Sequence, residues 1–88
     1  MVTIDDIQNA RNRIKNSIET TPLLTSDRLN SALPFDLYVK AECLQRTGSF
    51  KFRGGCNAVF SIEDSSLHVI AFSSGNHAQA VALAARLS

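Results

Sequence analysis

The chain is organised around the stretch Gln45-Arg46-Thr47-Gly48-Ser49-Phe50-Lys51-Phe52-Arg53-Gly54-Gly55, in which one lysine stands between two phenylalanines and is bracketed by glycines. An amine is nucleophilic only in its neutral form, and apolar neighbours such as Phe50 and Phe52 disfavour the charged form by desolvation. The stretch therefore suggests that Lys51 carries covalent chemistry. The same pattern also fits an alternating strand that buries both rings and leaves the lysine in solvent. Taken alone, the stretch favours the strand.

The composition is that of an ordinary globular protein. The 88 residues carry a formal net charge of +1, and they contain neither a basic patch nor an acidic run. We therefore expect no nucleic-acid partner and no membrane partner. The first residues are acidic and lack the basic region of a signal peptide, so we expect a cytoplasmic protein. Cys43 and Cys56 are too far apart for a CxxC pair, and we expect two free thiols.

Hydrophobic periodicity predicts helices and strands along the whole chain. The expected elements are a helix over about 3–18, a short helix from Thr25 or Ser26 to about Leu33, a strand over 36–42, a helix over about 50–61 with Ser49 as its cap, a strand over 67–72 and an alanine-rich helix over 78–87. The run Leu67–Phe72 is apolar on both faces, which is typical of a central strand in a parallel sheet covered by helices. The pattern therefore predicts an α/β fold.

A second motif, Ser73-Ser74-Gly75-Asn76-His77, lies between the last predicted strand and the last predicted helix. Open α/β sheets bind ligands at the carboxyl ends of their strands, and helix N-termini attract anions. The motif therefore predicts a site for a carboxylate or a phosphate. Alternatively, Ser74 and Asn76 only cap the helix while Gly75 makes the turn.

His77 lies in the same motif, and two roles are open for it. It is a possible general base, although a histidine in a first helical turn is more often an incidental surface residue. His68, the only other histidine, has no assignable role. Two histidines without carboxylate or cysteine partners do not make a ligand set, so we expect no metal site in this chain.

Residues 40–54 and, about twenty residues later, residues 73–80 together resemble the serine/threonine dehydratase and serine racemase family, which comprises fold-type II pyridoxal phosphate enzymes. Both motifs occur in the order and spacing of that family. The resemblance implies a three-layer open-sheet α/β fold that is incomplete in this chain. Residues 1–88 would then form a single partial domain, the N-terminal part of such an enzyme.

The resemblance also implies roles for individual residues. Lys51 would form the Schiff base with pyridoxal phosphate and then move the proton on the substrate Cα. Phe50 would lie against the cofactor, and Asn76 would hydrogen-bond its ring hydroxyl. The motif from Ser73 through Ser74, Gly75 and Asn76 to His77 would hold the substrate carboxylate. In the family's racemases, the serine matching Ser74 exchanges a proton on the opposite face of the substrate.

The expected activity is the dehydration of L-serine or L-threonine to a 2-oxoacid and ammonia. Serine racemase and 3-hydroxyaspartate dehydratase remain alternatives, because Ser74 is compatible with each. The family's phosphate loop and its ligands for a divalent cation lie farther along a full-length chain. We therefore expect the 88 residues to be an inactive fragment, whereas the full-length protein would be a homodimer acting on a small hydroxy-amino acid.

Two further hypotheses do not involve catalysis. The chain would act as an interaction module that pairs through open sheet edges, or it would be an unfolded remnant without function.

Overall fold

The computed structural model describes all 88 residues, and helices are its main elements. They are α1 (Ile4–Ile14), α2 (Asp27–Ser31), α3 (Lys51–Phe60) and α4 (Asn76–Leu87), with two short strands, β1 (Leu23–Thr25) and β2 (Tyr38–Lys40), and two 3₁₀ turns, Glu42–Leu44 and Arg46–Gly48.

The first two helices begin at hydroxyl caps. The Thr3 hydroxyl accepts the amide of Asp6, whose carboxylate accepts the Thr3 amide in return, which satisfies two N–H groups at the start of α1. Ser26 caps α2 in the same position, as predicted. The prediction for α1 was wrong at its C-terminal end, because the helix tightens into a turn after Ile14 and does not continue to Ile18.

The two strands form a small antiparallel pair in which Leu23 faces Lys40 and Thr25 faces Tyr38. The strand predicted over 36–42 is therefore confirmed only for its three central residues, and all three are exposed, so that it has no dry face. Pro22 precedes β1 and has no N–H to donate, so it cannot add a donor to the ladder between the two strands. Its carbonyl still accepts the amide of Ala41.

The strand predicted over Leu67–Phe72 is absent, and so is the parallel sheet predicted around it. A strand exists through its hydrogen bonds to a neighbour, and none of the 88 residues pairs with this segment. Ile70 and Phe72 are almost fully exposed as a result, at 96% and 105% of their reference areas. Apolar content alone predicted a buried strand where no partner strand is available.

The core lies where α1, α3 and α4 meet. Phe52 and Cys56 of α3 are completely buried, and they pack with Ile14 of α1 and with Ala80 and Ala84 of α4. This core is small, since only 11 of the 88 residues are buried. The radius of gyration is 15.9 Å, whereas a compact chain of this length has about 12 Å. The fold is thus a partial α/β unit that leaves large apolar side chains uncovered.

The start of α3 differs from the prediction that Ser49 caps it. The residue preceding the helix is Phe50, and no side chain caps the helix. The Ser49 hydroxyl is instead buried without a hydrogen-bond partner. The predicted helix itself is confirmed, and α4 begins two residues earlier than expected, at Asn76.

Candidate functional site

The relative direction of α3 and α4 determines where the two motifs lie. At the fifth residue of each helix, a Cβ atom added to Gly55 would lie 3.2 Å from the carbonyl carbon of Ala80. Near their ends, Val59 lines the same surface groove as Leu87 and Ser88. Residues in the first half of α3 therefore lie near the first half of α4, and residues at the C-terminal end of α3 lie near the C-terminal end of α4. The two helices consequently run parallel.

Parallel packing brings the two motifs to one end of the molecule. Lys51 precedes Gly55 by four residues, and Asn76 precedes Ala80 by four residues. Four residues of an α-helix span about 6 Å, so both helices begin roughly one turn before the contact between Gly55 and Ala80. Lys51 and the loop Ser73–His77 consequently share the same end of the α3–α4 pair. Two helix N-termini form this end of the pair, whereas the sequence pattern predicted the edge of a sheet for the second motif.

Lys51 is the first residue of α3, and its amine is available for chemistry. The side chain is exposed, and Nζ makes no hydrogen bond or ion pair. Its nearest aromatic neighbour is Phe50, whose ring centroid lies 5.2 Å from Nζ. Phe52 does not contribute to the surroundings predicted for this amine, because it is fully buried in the core. Of the two phenylalanines, only Phe50 stands beside the amine.

The loop before α4 presents hydrogen-bond donors. The Ser73 hydroxyl accepts the amide of Gly75 at 3.2 Å, which fixes the turn into the helix. No side chain caps α4, so the interpretation of Ser74 and Asn76 as caps is wrong. The backbone amides of Asn76, His77 and the following residue have no acceptor. Together with the positive end of the helix dipole, these amides suit a carboxylate.

The remaining side chains of this loop are free to contact a ligand. Ser74, Asn76 and His77 are exposed and make no side-chain hydrogen bond within the chain. They supply a hydroxyl, an amide and an imidazole next to the free backbone amides. The residues present thus fit a cofactor with a ring hydroxyl and a substrate with a carboxylate.

The turn leading into α3 carries two features that the sequence analysis missed. Thr47 and Gly48 both have positive φ, at 64° and 75°, and this region is unfavourable for a β-branched residue. The hydroxyls of Thr47 and Ser49 are buried without partners. A buried hydroxyl that lacks its hydrogen bond costs about 1 to 3 kcal/mol, so this turn is a costly conformation next to Lys51. No pattern in the sequence signals a left-handed threonine.

An ion pair behind Lys51 was also missed. Arg53 donates to both oxygens of Glu42 at 2.8 Å, and the hydroxyl of Thr21 donates to the same carboxylate. The hydrogen bonds from Arg53 are the main reason that the pKa of Glu42 falls to about 2, against the opposing effect of burial. The same pairing raises the pKa of Arg53. Glu42 and Arg53 are eleven residues apart in the sequence, and this separation alone did not predict that they form an ion pair.

The structure was also compared with the requirements of a metal site and of a membrane span by two features, the grouping of ligand side chains and the character of the helices. No three or more histidine, cysteine, aspartate or glutamate side chains are grouped so that they would hold a metal ion. None of the helices has the length and apolar character needed to cross a membrane.

Comparison with known proteins identifies related chains. The model of the family described as pyridoxal-phosphate dependent enzyme matches residues 14–88. An L-threo-3-hydroxyaspartate ammonia-lyase of Saccharomyces cerevisiae is 54% identical over 87 residues, covering 97% of this chain and 27% of the relative. An L-threonine ammonia-lyase of Thermotoga maritima is 44% identical over 89 residues, covering 99% of this chain and 22% of the relative.

A solved structure agrees with these relatives. The crystal structure of serine racemase from Dictyostelium discoideum superposes with a TM-score of 0.90 at 46% identity, over 98% of this chain and 29% of that one. The chain thus spans less than a third of the length of each of these three proteins. The predicted family and fold class are confirmed.

Proposed function

The chain belongs to the pyridoxal-phosphate dependent enzymes, and on this premise we propose that Lys51 holds pyridoxal phosphate covalently through Nζ in a full-length protein that deaminates L-serine or L-threonine. The observation that supports this proposal is the parallel packing of α3 and α4, since Lys51 begins one helix and the donor-rich loop Ser73–His77 leads into the other at the same end of the pair. One end of the chain then supplies both the attachment point and the substrate-binding loop.

Each residue at this end has a task that its surroundings permit. The amide side chain of Asn76 would bind the cofactor's ring hydroxyl, and the exposed ring of Phe50 would lie against the cofactor. The free backbone amides at the start of α4 would bind the substrate carboxylate, with Ser73 holding the turn at Gly75. His77 lies on the same turn and would contribute to the carboxylate site.

The proposed reaction releases ammonia from a small β-hydroxy amino acid, and the water lost when the Cβ–O bond breaks is regained in the final hydrolysis. When bound, pyridoxal phosphate withdraws electrons from the substrate Cα and stabilises the charge left when its proton departs. Lys51 Nζ, once the substrate amine has displaced it from the cofactor, would accept that proton as the Cα–H bond breaks. The Cβ–O bond then breaks, and the hydroxyl would leave as water with the proton that Lys51 Nζ had accepted. Hydrolysis of the remaining C–N bond releases the 2-oxoacid and ammonia.

Serine racemisation and 3-hydroxyaspartate dehydration are second candidates, and specific observations favour them. Ser74 is exposed, and its hydroxyl is free to exchange a proton at the same end of the helix pair. Proteins named serine racemase and L-threo-3-hydroxyaspartate ammonia-lyase are among the similar chains. All these reactions begin with loss of the Cα proton, so the same Lys51 serves each of them.

The 88 residues by themselves are proposed to be a partial domain without activity. Support comes from the small core and from the exposed apolar segment around Ile70 and Phe72, which shows that the unit leaves its interior surfaces uncovered. A homodimeric full-length protein, a cytoplasmic location and a divalent cation bound outside these 88 residues stay predictions.

A chimera tests the proposed function. This segment would replace the matching residues of the Dictyostelium discoideum serine racemase, to which it is 47% identical over 88 residues. We expect the purified chimera to release 2-oxoacid from L-serine, L-threonine or L-threo-3-hydroxyaspartate, and chiral chromatography would report D-serine. The isolated chain, given pyridoxal phosphate and the same substrates, should release none. A chimera that folds and binds the cofactor but transforms no substrate would contradict the proposal.

An inactive interaction module is the candidate from another class, and the uncovered segment around Ile70 favours it. Size measurement of the isolated chain, alone and mixed with a full-length relative, tests this candidate. A stable monomer that stays separate from the relative would argue against it.

A further inference from the structure

The first turn of α3 is poorly held by its own sequence. No side chain caps the helix, and Gly54 and Gly55 follow within its first five residues. Glycine in a helix costs up to about 1 kcal/mol relative to alanine, because its backbone has more freedom to lose. The turn that carries Lys51 therefore needs support from elsewhere in the chain.

That support is present on one side of the helix. Arg53 forms a two-point ion pair with Glu42, with both distances at 2.8 Å, and the two side chains are 33% and 14% exposed. Two parallel N–H donations from a guanidinium to one carboxylate fix direction as well as distance. The pair therefore restrains the rotation of α3 about its axis.

Glu42 is itself held in place by neutral donors. The Thr21 hydroxyl donates to one carboxylate oxygen, and the side-chain amide of Gln45 lies 3.5 Å from the other. Gln45 is 4% exposed, and it bonds both the amide and the carbonyl of Glu19 at 2.9 Å. The ion pair is thus anchored to the segment that follows α1.

The geometry of a helix connects this anchor to the amine. Successive residues are about 100° apart around the axis, so Lys51 and Arg53 point to nearly opposite sides. Phe52, between them, is fully buried. Anchoring Arg53 on one side consequently sets the direction of Lys51 on the other.

We propose that Glu42 and Arg53 are positioning residues for Lys51, and that their ion pair restrains the uncapped first turn of α3 from one side. This inference rests on the proposed function of Lys51, but its physical part concerns only the first turn of the helix. Thr21 and Gln45 support the pair by holding the carboxylate of Glu42 in place.

Amide hydrogen exchange in the 88-residue chain at neutral pH tests the physical part. The amide of Gly55 reports on the first turn, because in an α-helix it donates to the carbonyl of Lys51. The amide of Phe60 reports on the last turn of α3. Glu42→Gln and Arg53→Met should speed exchange at Gly55 by about tenfold and leave Phe60 within about twofold. Arg53→Lys should restore part of the protection, since lysine keeps the charge but cannot donate through a fork.

Arg13→Met is the matched control, because Arg13 also reaches α3 but bonds Asn57 in its second half. This variant should leave exchange at Gly55 unchanged. Equal acceleration at Gly55 and Phe60 in Arg53→Lys would overturn the inference by showing a general structural role. Absence of protection at Gly55 in the unsubstituted chain would overturn it as well. If Glu42→Gln does not fold, Arg53→Lys decides the question.

The effect of the ion pair on catalysis is tested separately, by measuring kcat and KM in the chimera. Arg53→Lys should lower kcat by about tenfold and leave KM within about twofold, because the substrate carboxylate binds at α4 and not at α3. An unchanged kcat, or equal loss in kcat and affinity, would overturn the positioning role. Failure of Lys51 itself to act would appear separately, as full turnover in Lys51→Ala. The exchange measurement would stand in that case.

Discussion

Gly55 faces Ala80 so closely that a methyl group at residue 55 would lie 3.2 Å from the Ala80 carbonyl carbon and 3.3 Å from its Cβ. This contact sets the spacing of α3 and α4, and through it the distance between Lys51 and the loop Ser73–His77. A glycine that looked unfavourable in a helix is explained by this close approach of two backbones.

Gly55→Ala is therefore expected to destabilise the chain by about 1 to 3 kcal/mol, because the two helices must move apart to admit the methyl group. Gly54→Ala is the matched control, since no atom lies within 4 Å of a Cβ at that residue. It should stabilise the chain by up to about 1 kcal/mol through helix propensity. Urea unfolding followed by circular dichroism would measure both. A Gly55→Ala chain as stable as Gly54→Ala would contradict the close packing.

The Glu42–Arg53 pair predicts how stability depends on pH. Arg53, with help from Thr21, depresses the pKa of Glu42 from 4.5 to about 2 in the folded chain. The stabilisation is then complete above the unfolded pKa and is lost as the pH falls from about 4.5 towards 2. We expect this loss to be on the order of 1 kcal/mol, because the pair is partly exposed to solvent.

The measurement is the free energy of unfolding at pH 6 and near pH 2, about the limits of the titration. Glu42→Gln should lack this part of the acid sensitivity. Asp6→Asn is the control for removing a carboxylate with a lowered pKa elsewhere in the chain. The pKa of Asp6 is lowered by its hydrogen bonds to Thr3, far along the chain from the Glu42–Arg53 pair. Identical acid profiles for the unsubstituted chain and Glu42→Gln would show that the pair contributes nothing.

Ser74 distinguishes racemisation from dehydration in the chimera. If its hydroxyl exchanges the proton on the second face of the substrate, Ser74→Ala should lower D-serine formation by about 100-fold, the lower end of the contribution of a general acid or base. Release of 2-oxoacid should fall much less, because the proposed proton removal by Lys51 does not require Ser74. Ser73→Ala serves as the control for disturbance of the loop, since Ser73 holds the Gly75 amide. Equal losses of both products in Ser74→Ala would remove Ser74 from the reaction.

The sequence correctly predicted the helices that are indicated by the spacing of their own residues. The helices α1, α3 and α4 follow from local spacing, and all three are present. The strand over Leu67–Phe72 was wrong because a strand requires a partner that periodicity cannot supply. The same reason limits β2 to the length of its short partner, β1.

The candidate site divides in a similar way. Lys51 and the loop Ser73–His77 stand out in the sequence by residue type, and the structure places them at one end of two parallel helices. The ion pair between Glu42 and Arg53 depends on how two 3₁₀ turns fold the chain back, and the positive φ of Thr47 depends on the same path. Neither the ion pair nor the positive φ of Thr47 is indicated by the spacing of residues in the sequence.

The central claim is that Lys51 carries the cofactor, and reductive trapping tests it most directly. The chimera would be incubated with pyridoxal phosphate, reduced with borohydride and digested, and the labelled peptide would be identified by mass spectrometry. We expect the label on Lys51, with neither stable labelling nor 2-oxoacid release in Lys51→Ala. A label on Lys40 or on another lysine, or full turnover in Lys51→Ala, would contradict it.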